Sequence, residues 1–112
     1  MAENHDWKIK RKYYTLIKNG IKTLEVKVGY PYIKRVREGD TITFAEYSDV
    51  RFEVIRITRY ESLQDMLNSE NSYKAIPGVT KYEALNLYQK TYPKEKEALG
   101  IYVFELKKQP LY

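Results

Sequence analysis

Residues 20–44, with the sequence GIKTLEVKVGYPYIKRVREGDTITF, decide the fold because they supply two strands and the turns that orient them. In the first strand apolar side chains alternate with polar ones, so one face is expected to lie on the core. The core-facing residues are Leu24, Val26 and Val28, and the opposite face carries Thr23, Glu25 and Lys27. Lys22 lies at the turn just before this strand. The stretch therefore concentrates three charged side chains on a small part of the chain.

Proline and glycine divide this stretch into its parts. Pro31 ends the first strand, because proline cannot continue a central hydrogen-bonded ladder. A basic loop follows at residues 33–38, and Gly39-Asp40 turns the chain into a second strand at residues 41–44. In that strand apolar residues again alternate with threonine, which predicts one buried face. Asp40 is interpreted as a turn residue.

The rest of the chain is predicted to contain three more strands and three short helices. After a polar lead, strands are expected at residues 7–11, 50–60 and 101–106, and helices at residues 13–19, 63–67 and 81–92. The alternation slips at Val54-Ile55, which indicates a bulge or a strand buried on both faces. Ser62 is a good N-cap, and Thr80 with Glu83 forms a capping box. The buried stripe of the last helix is either Tyr82, Leu85 and Tyr88 or Ala84, Leu87 and Thr91.

The order of these elements predicts an α+β fold. Strands dominate both ends of the chain, and two helices are inserted together after the fourth strand, which is not the alternation of a doubly wound sheet. A small mixed β-barrel of about five to six strands with two to three flanking helices would also remove exposed strand edges. No repeat or linker is visible, so we expect residues 1–112 to form a single domain with its core at about residues 7–106.

The composition excludes several classes of chemistry. The chain has no cysteine, which excludes disulfides and thiolate catalysis, and its one histidine, His5, lies in the polar lead. There is no carboxylate cluster and no phosphate-binding glycine loop. We therefore expect no metal and no cofactor. No apolar run is long enough to span a bilayer and no signal peptide is visible, so a soluble cytoplasmic protein without membrane contact is expected.

The charge distribution favours a polyanionic partner. Residues 1–60 hold 13 lysines and arginines against 8 acidic residues, whereas residues 61–112 hold 7 of each, so the first half carries the whole net charge of +5. The 12 tyrosines add aromatic faces on which unpaired bases stack. The alternative is that the basic loop is a solvated surface and that the tyrosines belong to strands and core.

Eight residues of the opening stretch are candidates for ligand binding. They are Lys22, Glu25, Lys27, Tyr30, Tyr32, Lys34, Arg35 and Arg37. The first three offer an acceptor and several donors to a base edge or sugar, the two tyrosines offer a stacking wall, and the last three offer phosphate contacts. The competing interpretation is an exposed ion pair on the strand, worth under about 1 kcal/mol, beside a solvated loop.

The segment from Gly20 to Lys27, GIKTLEVK, resembles the GxKxxExR signature of the ASCH domain, a branch of the PUA-like superfamily. Its ordered companions fit small prokaryotic single-domain members, and the resemblance spans residues 7–106. These companions are Tyr30-Pro31, Gly39-Asp40, Arg59-Tyr60-Glu61-Ser62, Tyr92-Pro93 and Gly100. Lys27 takes the place of the signature's arginine, so the charge is kept while the bidentate fork is lost.

The resemblance implies a PUA-like β-barrel with helices beside it and a cleft lined by the signature residues. The family is generally proposed to bind RNA. Some small members deacetylate N4-acetylcytidine with a lysine matching Lys22, a threonine nucleophile and a glutamate from the helical region, and ribonuclease activity is reported for others. Glu25 stands at the threonine's place, and Glu70 and Glu83 lie in the helical region. Tyr60 and Tyr92 are candidates to close the cleft from the helical side.

Because Glu25 replaces the nucleophile, we expect a binding protein rather than an enzyme. The expected ligand is single-stranded RNA or a nucleotide or nucleoside, held by a monomer in a basic cleft beside the barrel. The alternative is an amidohydrolase acting on acylated cytosine nucleosides, in which Glu25 acts as a base on water and Lys22 assists, or a ribonuclease. A third possibility is a protein-interaction module that uses the neutral helical half.

Overall fold

The computed structural model describes residues 2–110, which form one five-stranded sheet and six helices. The strands are β1 (Asn4–Trp7), β2 (Leu24–Val28), β3 (Thr41–Phe44), β4 (Tyr47–Tyr60) and β5 (Ile101–Lys108). The helices are α1 (Arg11–Lys18), α2 (Pro31–Lys34), α3 (Leu63–Ser69), α4 (Ser72–Ala75), α5 (Lys81–Thr91) and α6 (Lys94–Glu97). The sheet order is β1-β3-β4-β5-β2, with β1 parallel to β3 and every other pair antiparallel.

The sheet curls into a half-barrel with the helices beside it, which confirms the predicted α+β, PUA-like fold. The structure has more helices than the two to three that the sequence predicts, because α2, α4 and α6 are four-residue turns of helix in segments assigned to loops. Such short helices leave almost no periodic pattern in a sequence. Within residues 2–110, no helix is long and apolar enough to cross a membrane.

The first strand lies earlier than predicted, at Asn4–Trp7 instead of residues 7–11. Asp40 explains the difference, because its buried carboxylate accepts a hydrogen bond from the Glu3 backbone N–H (3.0 Å) and contacts His5 Nε2 (2.9 Å). Burial raises the pKa of Asp40, but these contacts and the Arg37 N–H lower it overall to about 2. Asp40 is thus more than a turn residue, since it fastens the polar lead beside β3.

The long strand β4 contains the predicted bulge, since its register against β5 shifts between Val54 and Arg56. The last strand, β5, lies between β4 and β2 and is buried on both faces, as its sequence predicts. Phe104 packs in a core inside the half-barrel with α1, whereas Val103 packs in a second core with α3, α4 and α5. The three apolar residues of β2 belong to this second core.

The helix ends follow the predicted chemistry. Ser62 Oγ accepts a hydrogen bond from the Asp65 N–H (3.0 Å), and Thr80 forms the full capping box with Glu83 at the start of α5. Neither predicted stripe of α5 is right as a whole. The residues turned to the core are Ala84, Leu85 and Tyr88, whereas Tyr82, Leu87 and Thr91 are exposed. Caps depend on neighbours in sequence, but the rotation of a helix depends on what it packs against.

Candidate nucleoside-binding cleft

A cleft of about 210 Å³ lies between β2, the segment that follows β1, and the last two turns of α5. Ala75 and Ile76, from α4 and its end, also line it. The charged and aromatic lining consists of Lys8, Lys10, Tyr13, Lys22, Glu25, Lys27, Tyr88 and Tyr92. Four lysines against one glutamate give this cleft a positive charge. Three of its charged residues, Lys22, Glu25 and Lys27, are the signature residues that the sequence analysis singled out.

Lys22 lies at the back of the cleft and is only 3% exposed. Its ammonium donates hydrogen bonds to the backbone carbonyls of Leu24 and Ala75, and its Nζ lies 3.2 Å from Glu25 Oε1. An ammonium has three N–H donors, so these partners account for all of them. Burial lowers the pKa of Lys22, and the Glu25 carboxylate opposes that shift. Lys22 therefore ties the entry to β2 to the end of α4 and holds Glu25 in place.

Glu25 lies between two lysines, one on each side of its carboxylate. Its Oε2 is 3.6 Å from Lys27 Nζ, while its Oε1 faces Lys22. Burial raises the pKa of Tyr88 and of Tyr92, and the Glu25 charge raises both further. Both phenols are therefore protonated at neutral pH and each carries an O–H donor, of which that of Tyr92 is used within the protein on the Val26 carbonyl. The cleft combines a fixed carboxylate acceptor with ammonium and phenol donors.

Three tyrosines from two helices supply the aromatic part of the cleft. Tyr13 comes from α1, with Lys22 Nζ 5.9 Å from its ring centroid. Tyr88 and Tyr92 come from the end of α5, and the Tyr92 hydroxyl donates to the Val26 carbonyl (3.1 Å) on β2. Tyr92 was expected from the helical side. Tyr60 was expected with it but lies outside this lining, where its hydroxyl donates to Glu70.

The predicted pair Tyr30 and Tyr32 lies beside the cleft instead of inside it. Their rings stack with centroids 6.0 Å apart and an interplanar angle of 8°. Tyr30 is half-buried against both cores, and Tyr32 is 49% exposed. Tyr32 lines a neighbouring recess together with Asp6, Trp7, Lys8 and Lys27.

The three basic residues predicted to contact phosphate, Lys34, Arg35 and Arg37, are exposed at α2 and the turn after it. They line neither the cleft nor the neighbouring recess. The described contact of Arg37 is structural, since its backbone N–H donates to Asp40 (2.9 Å). A ligand contact by these three side chains remains a prediction.

Sequence reasoning missed half of the charged and aromatic lining, namely Lys8, Lys10, Tyr13 and Tyr88. The two lysines were assigned to a strand, and the two tyrosines to helix faces turned to the core. The Lys-Ile-Lys pattern at residues 8–10 was the available signal, because two cations flank one apolar residue there. Nothing in the local pattern indicates that this segment crosses in front of β2.

The helical glutamates have structural partners outside the cleft. Arg56 holds Glu70 through two hydrogen bonds of 2.8 and 2.9 Å, and Glu83 closes the capping box of α5. Thr91 does line the cleft, and its hydroxyl donates to the Leu87 carbonyl (3.3 Å). Glu25 is therefore the one carboxylate that the described residues bring to this cleft.

Comparison with known proteins places this geometry in a family. The chain matches the ASCH domain over residues 8–110. The fold is similar to the crystal structure of the hypothetical protein PH0355, with a TM-score of 0.87, 26% identity, and coverage of 96% of this chain and 99% of that one. It is also similar to the solution structure of protein PF0455 from Pyrococcus furiosus, with a TM-score of 0.80, 26% identity, and coverage of 97% and 99%. No curated protein matches the sequence. The chain belongs to the ASCH domain family.

Proposed function

We propose that this protein binds one unpaired nucleoside unit, either free or within single-stranded RNA, in the cleft. The observation that carries the proposal is the Glu25 carboxylate, held from behind by Lys22 and facing a positive cleft with tyrosine walls. Membership of the ASCH family supports an RNA-related ligand. The printed names of the two similar structures describe no activity.

The side chains of the cleft match the groups of a nucleoside. Glu25 accepts hydrogen bonds from an exocyclic amino group, a ring N–H or ribose hydroxyls, and Lys27 donates to a base carbonyl or a phosphate. The tyrosine rings offer faces for the base, and stacking of this kind contributes about 1–3 kcal/mol per base. A base carries hydrogen-bond donors, acceptors and an aromatic face, so one base can contact the carboxylate, the lysine and the tyrosine rings of the cleft at the same time.

The size of the cleft favours a single unit. Its volume of about 210 Å³ is below the range of roughly 300–1,000 Å³ that drug-sized ligands occupy. Double-stranded RNA is recognised by shape across its wide minor groove, whereas unpaired bases insert into pockets. A narrow cleft with a buried carboxylate therefore suits one base with its ribose better than a helix.

Calorimetric titration at low salt with the common ribonucleosides, their monophosphates and a panel of short single-stranded RNAs tests the proposal. Glu25→Gln keeps the shape of the side chain but removes the charge, and we expect binding to weaken about tenfold or more. Glu70→Gln is the matched control and should leave binding unchanged, since Glu70 does not line the cleft. Absence of binding to every member of the panel would refute the proposal. Equal losses in the two variants would refute the role of Glu25.

A second candidate, hydrolysis of an acylated cytosine nucleoside, is favoured by one observation. Lys22 is a buried lysine with a lowered pKa in contact with Glu25, and perturbed groups of this kind cluster at catalytic sites. Glu25 would take a proton from water as its oxygen attacks the amide carbonyl, and would return that proton to N4 as the C–N bond breaks, so that acetate and cytidine are the products. Incubation with N4-acetylcytidine, followed by chromatography for cytidine, tests this activity. If no cytidine is released, the hydrolase candidate is refuted. The same samples with single-stranded RNA test ribonuclease activity through the length of the recovered RNA.

A further inference from the structure

The cleft and the recess beside it share two lysines. Lys8 and Lys27 line both cavities, while Asp6, Trp7 and Tyr32 line only the recess. The two ammonium groups therefore belong to the boundary between two neighbouring cavities. A ligand that fills both would pass its connecting group over these charges.

The boundary lysines have donors to offer. Lys27 Nζ lies 3.6 Å from Glu25 Oε2 and 5.3 Å from the centroid of the Trp7 ring, and it donates no hydrogen bond to another group of residues 2–110. Lys8 is exposed at the rim. By contrast, the donors of Lys22 are used inside the protein. The unused cationic donors thus lie between the cavities instead of at the back of the cleft.

The recess also has an aromatic wall that is already oriented. Tyr30 packs against Tyr32 in a nearly parallel, offset stack, and Tyr32 remains about half exposed. A ring fixed in this way loses little conformational freedom when a base stacks on it. Asp6 lines the recess as well, with Oδ1 accepting from the Thr43 hydroxyl (2.9 Å), and its negative charge disfavours a phosphate beside it.

We propose that the recess is the subsite for the neighbouring nucleotide of single-stranded RNA. The base in the cleft and the base on Tyr32 are joined by a phosphodiester group at Lys8 and Lys27, so that the smallest fully recognised ligand is a dinucleotide step. This inference rests on the proposed nucleoside site and adds its substrate class. According to this inference, the recess and not the cleft is what makes the protein prefer an RNA chain to a free nucleoside.

Titration with ribonucleosides and with ribodinucleoside monophosphates tests this subsite. We expect the best dinucleotide to bind at least about tenfold more tightly than its component nucleosides, because it adds one phosphate contact and one stacked base. Tyr32→Ala should remove most of that gain and leave nucleoside binding unchanged, and Tyr32→Phe should keep it. Tyr73→Ala is the matched control, since Tyr73 is 52% exposed and lines neither cavity.

Two further readouts separate stacking from charge. Trp7 is the one tryptophan of the chain and lines only the recess, so its fluorescence should change with dinucleotides and much less with nucleosides. Lys8→Ala should reduce the salt dependence of dinucleotide binding, because it removes one of the two cations at the phosphate position.

The outcomes distinguish the two proposals. If nucleosides bind but dinucleotides bind no more tightly, or if Tyr32→Ala and Tyr73→Ala behave alike, the subsite is refuted and the nucleoside site stands. If neither nucleosides nor RNA bind, the proposed function itself is refuted and the subsite falls with it.

Discussion

Two clusters that each join three oppositely charged side chains occupy different regions of the molecule. One is the cleft cluster of Lys22, Glu25 and Lys27, and the other is the β4 cluster of Arg56, Glu70 and Glu105. In the β4 cluster the guanidinium binds both carboxylates and the Thr58 hydroxyl. In the cleft cluster one lysine is fully used, while the carboxylate and the second lysine line a cavity.

The two clusters differ in whether their hydrogen-bonding groups have partners within the protein. Arg56 joins Glu70, at the end of α3, to β4 and β5 by directional contacts. These contacts give the β4 cluster a structural role that is sufficient to account for it. The cleft cluster leaves Lys27 without a hydrogen bond in the described chain while burying most of Glu25. Burying charge without pairing it fully costs free energy. We therefore interpret the β4 cluster as support for the fold and the cleft cluster as facing a ligand.

The largest expected effect on stability comes from removing the Lys22 ammonium at the back of the cleft. Lys22→Met should lower the free energy of unfolding by about 3 kcal/mol, because it leaves a buried carboxylate and two carbonyls without their donor. Urea denaturation measures this loss. The double variant with Glu25→Gln should recover part of it, since the uncompensated charge is gone. A loss under about 1 kcal/mol would show that Lys22 is not a structural support.

A smaller effect is expected when the β4 cluster loses its geometry but keeps its charge. Arg56→Lys retains the cation and loses the two-point contact with Glu70, which should cost about 1–2 kcal/mol at this partly exposed site. Calorimetry should show unchanged nucleoside binding in the same variant. If Arg56→Lys bound nucleosides more weakly than the wild type, the assignment of the β4 cluster to the fold alone would be wrong.

The smallest effect concerns acid stability. Arg56, and then the Tyr60 hydroxyl, lower the pKa of Glu70 below its usual value, against the effect of burial. Glu70 therefore stabilises the fold fully above its unfolded pKa of about 4.3, and this contribution is lost as the pH falls through the lower pKa of the folded state.

Unfolding of the wild type and of Glu70→Gln between pH 7 and pH 3 measures that contribution. The difference between the two proteins should shrink as the pH falls. Asp40 contributes its own loss between about pH 4 and 2 in both proteins, so it cancels from the comparison. A difference that does not change with pH would contradict the assignment to Glu70.

The sequence predicted the parts of the fold that depend on neighbouring residues. The alternation in β2, the bulge in β4, the caps at Ser62 and Thr80, and the stop at the end of α5 all appear where the pattern placed them. The sequence-based prediction was wrong for the position of β1. This strand is short and polar, and it is held in place by pairing with β3 and by the hydrogen bond from the Glu3 N–H to the Asp40 carboxylate. A strand that owes its existence to a distant partner has little local signal.

The candidate site divides in the same way. Strand periodicity puts Glu25 and Lys27 on one face, and the signature motif adds Lys22, at the turn before the strand, to the same set. The positions of Tyr13, Tyr88 and Lys8 depend instead on how α1, α5 and the segment after β1 pack around β2. The sequence therefore predicted the charged centre of the cleft but not most of its walls.

By itself, the sequence determined the family, the order of the strands and of the three longer helices, and the charged signature at the start of β2, because each follows from short-range periodicity, turn chemistry and motif spacing. Only the tertiary structure decided what the signature does. It places the Ala75 carbonyl, 53 residues away in the chain, against the Lys22 ammonium and thereby turns a turn lysine into the buried support of Glu25. Contacts of that kind are set by the packing of whole elements, which no local pattern of residues specifies.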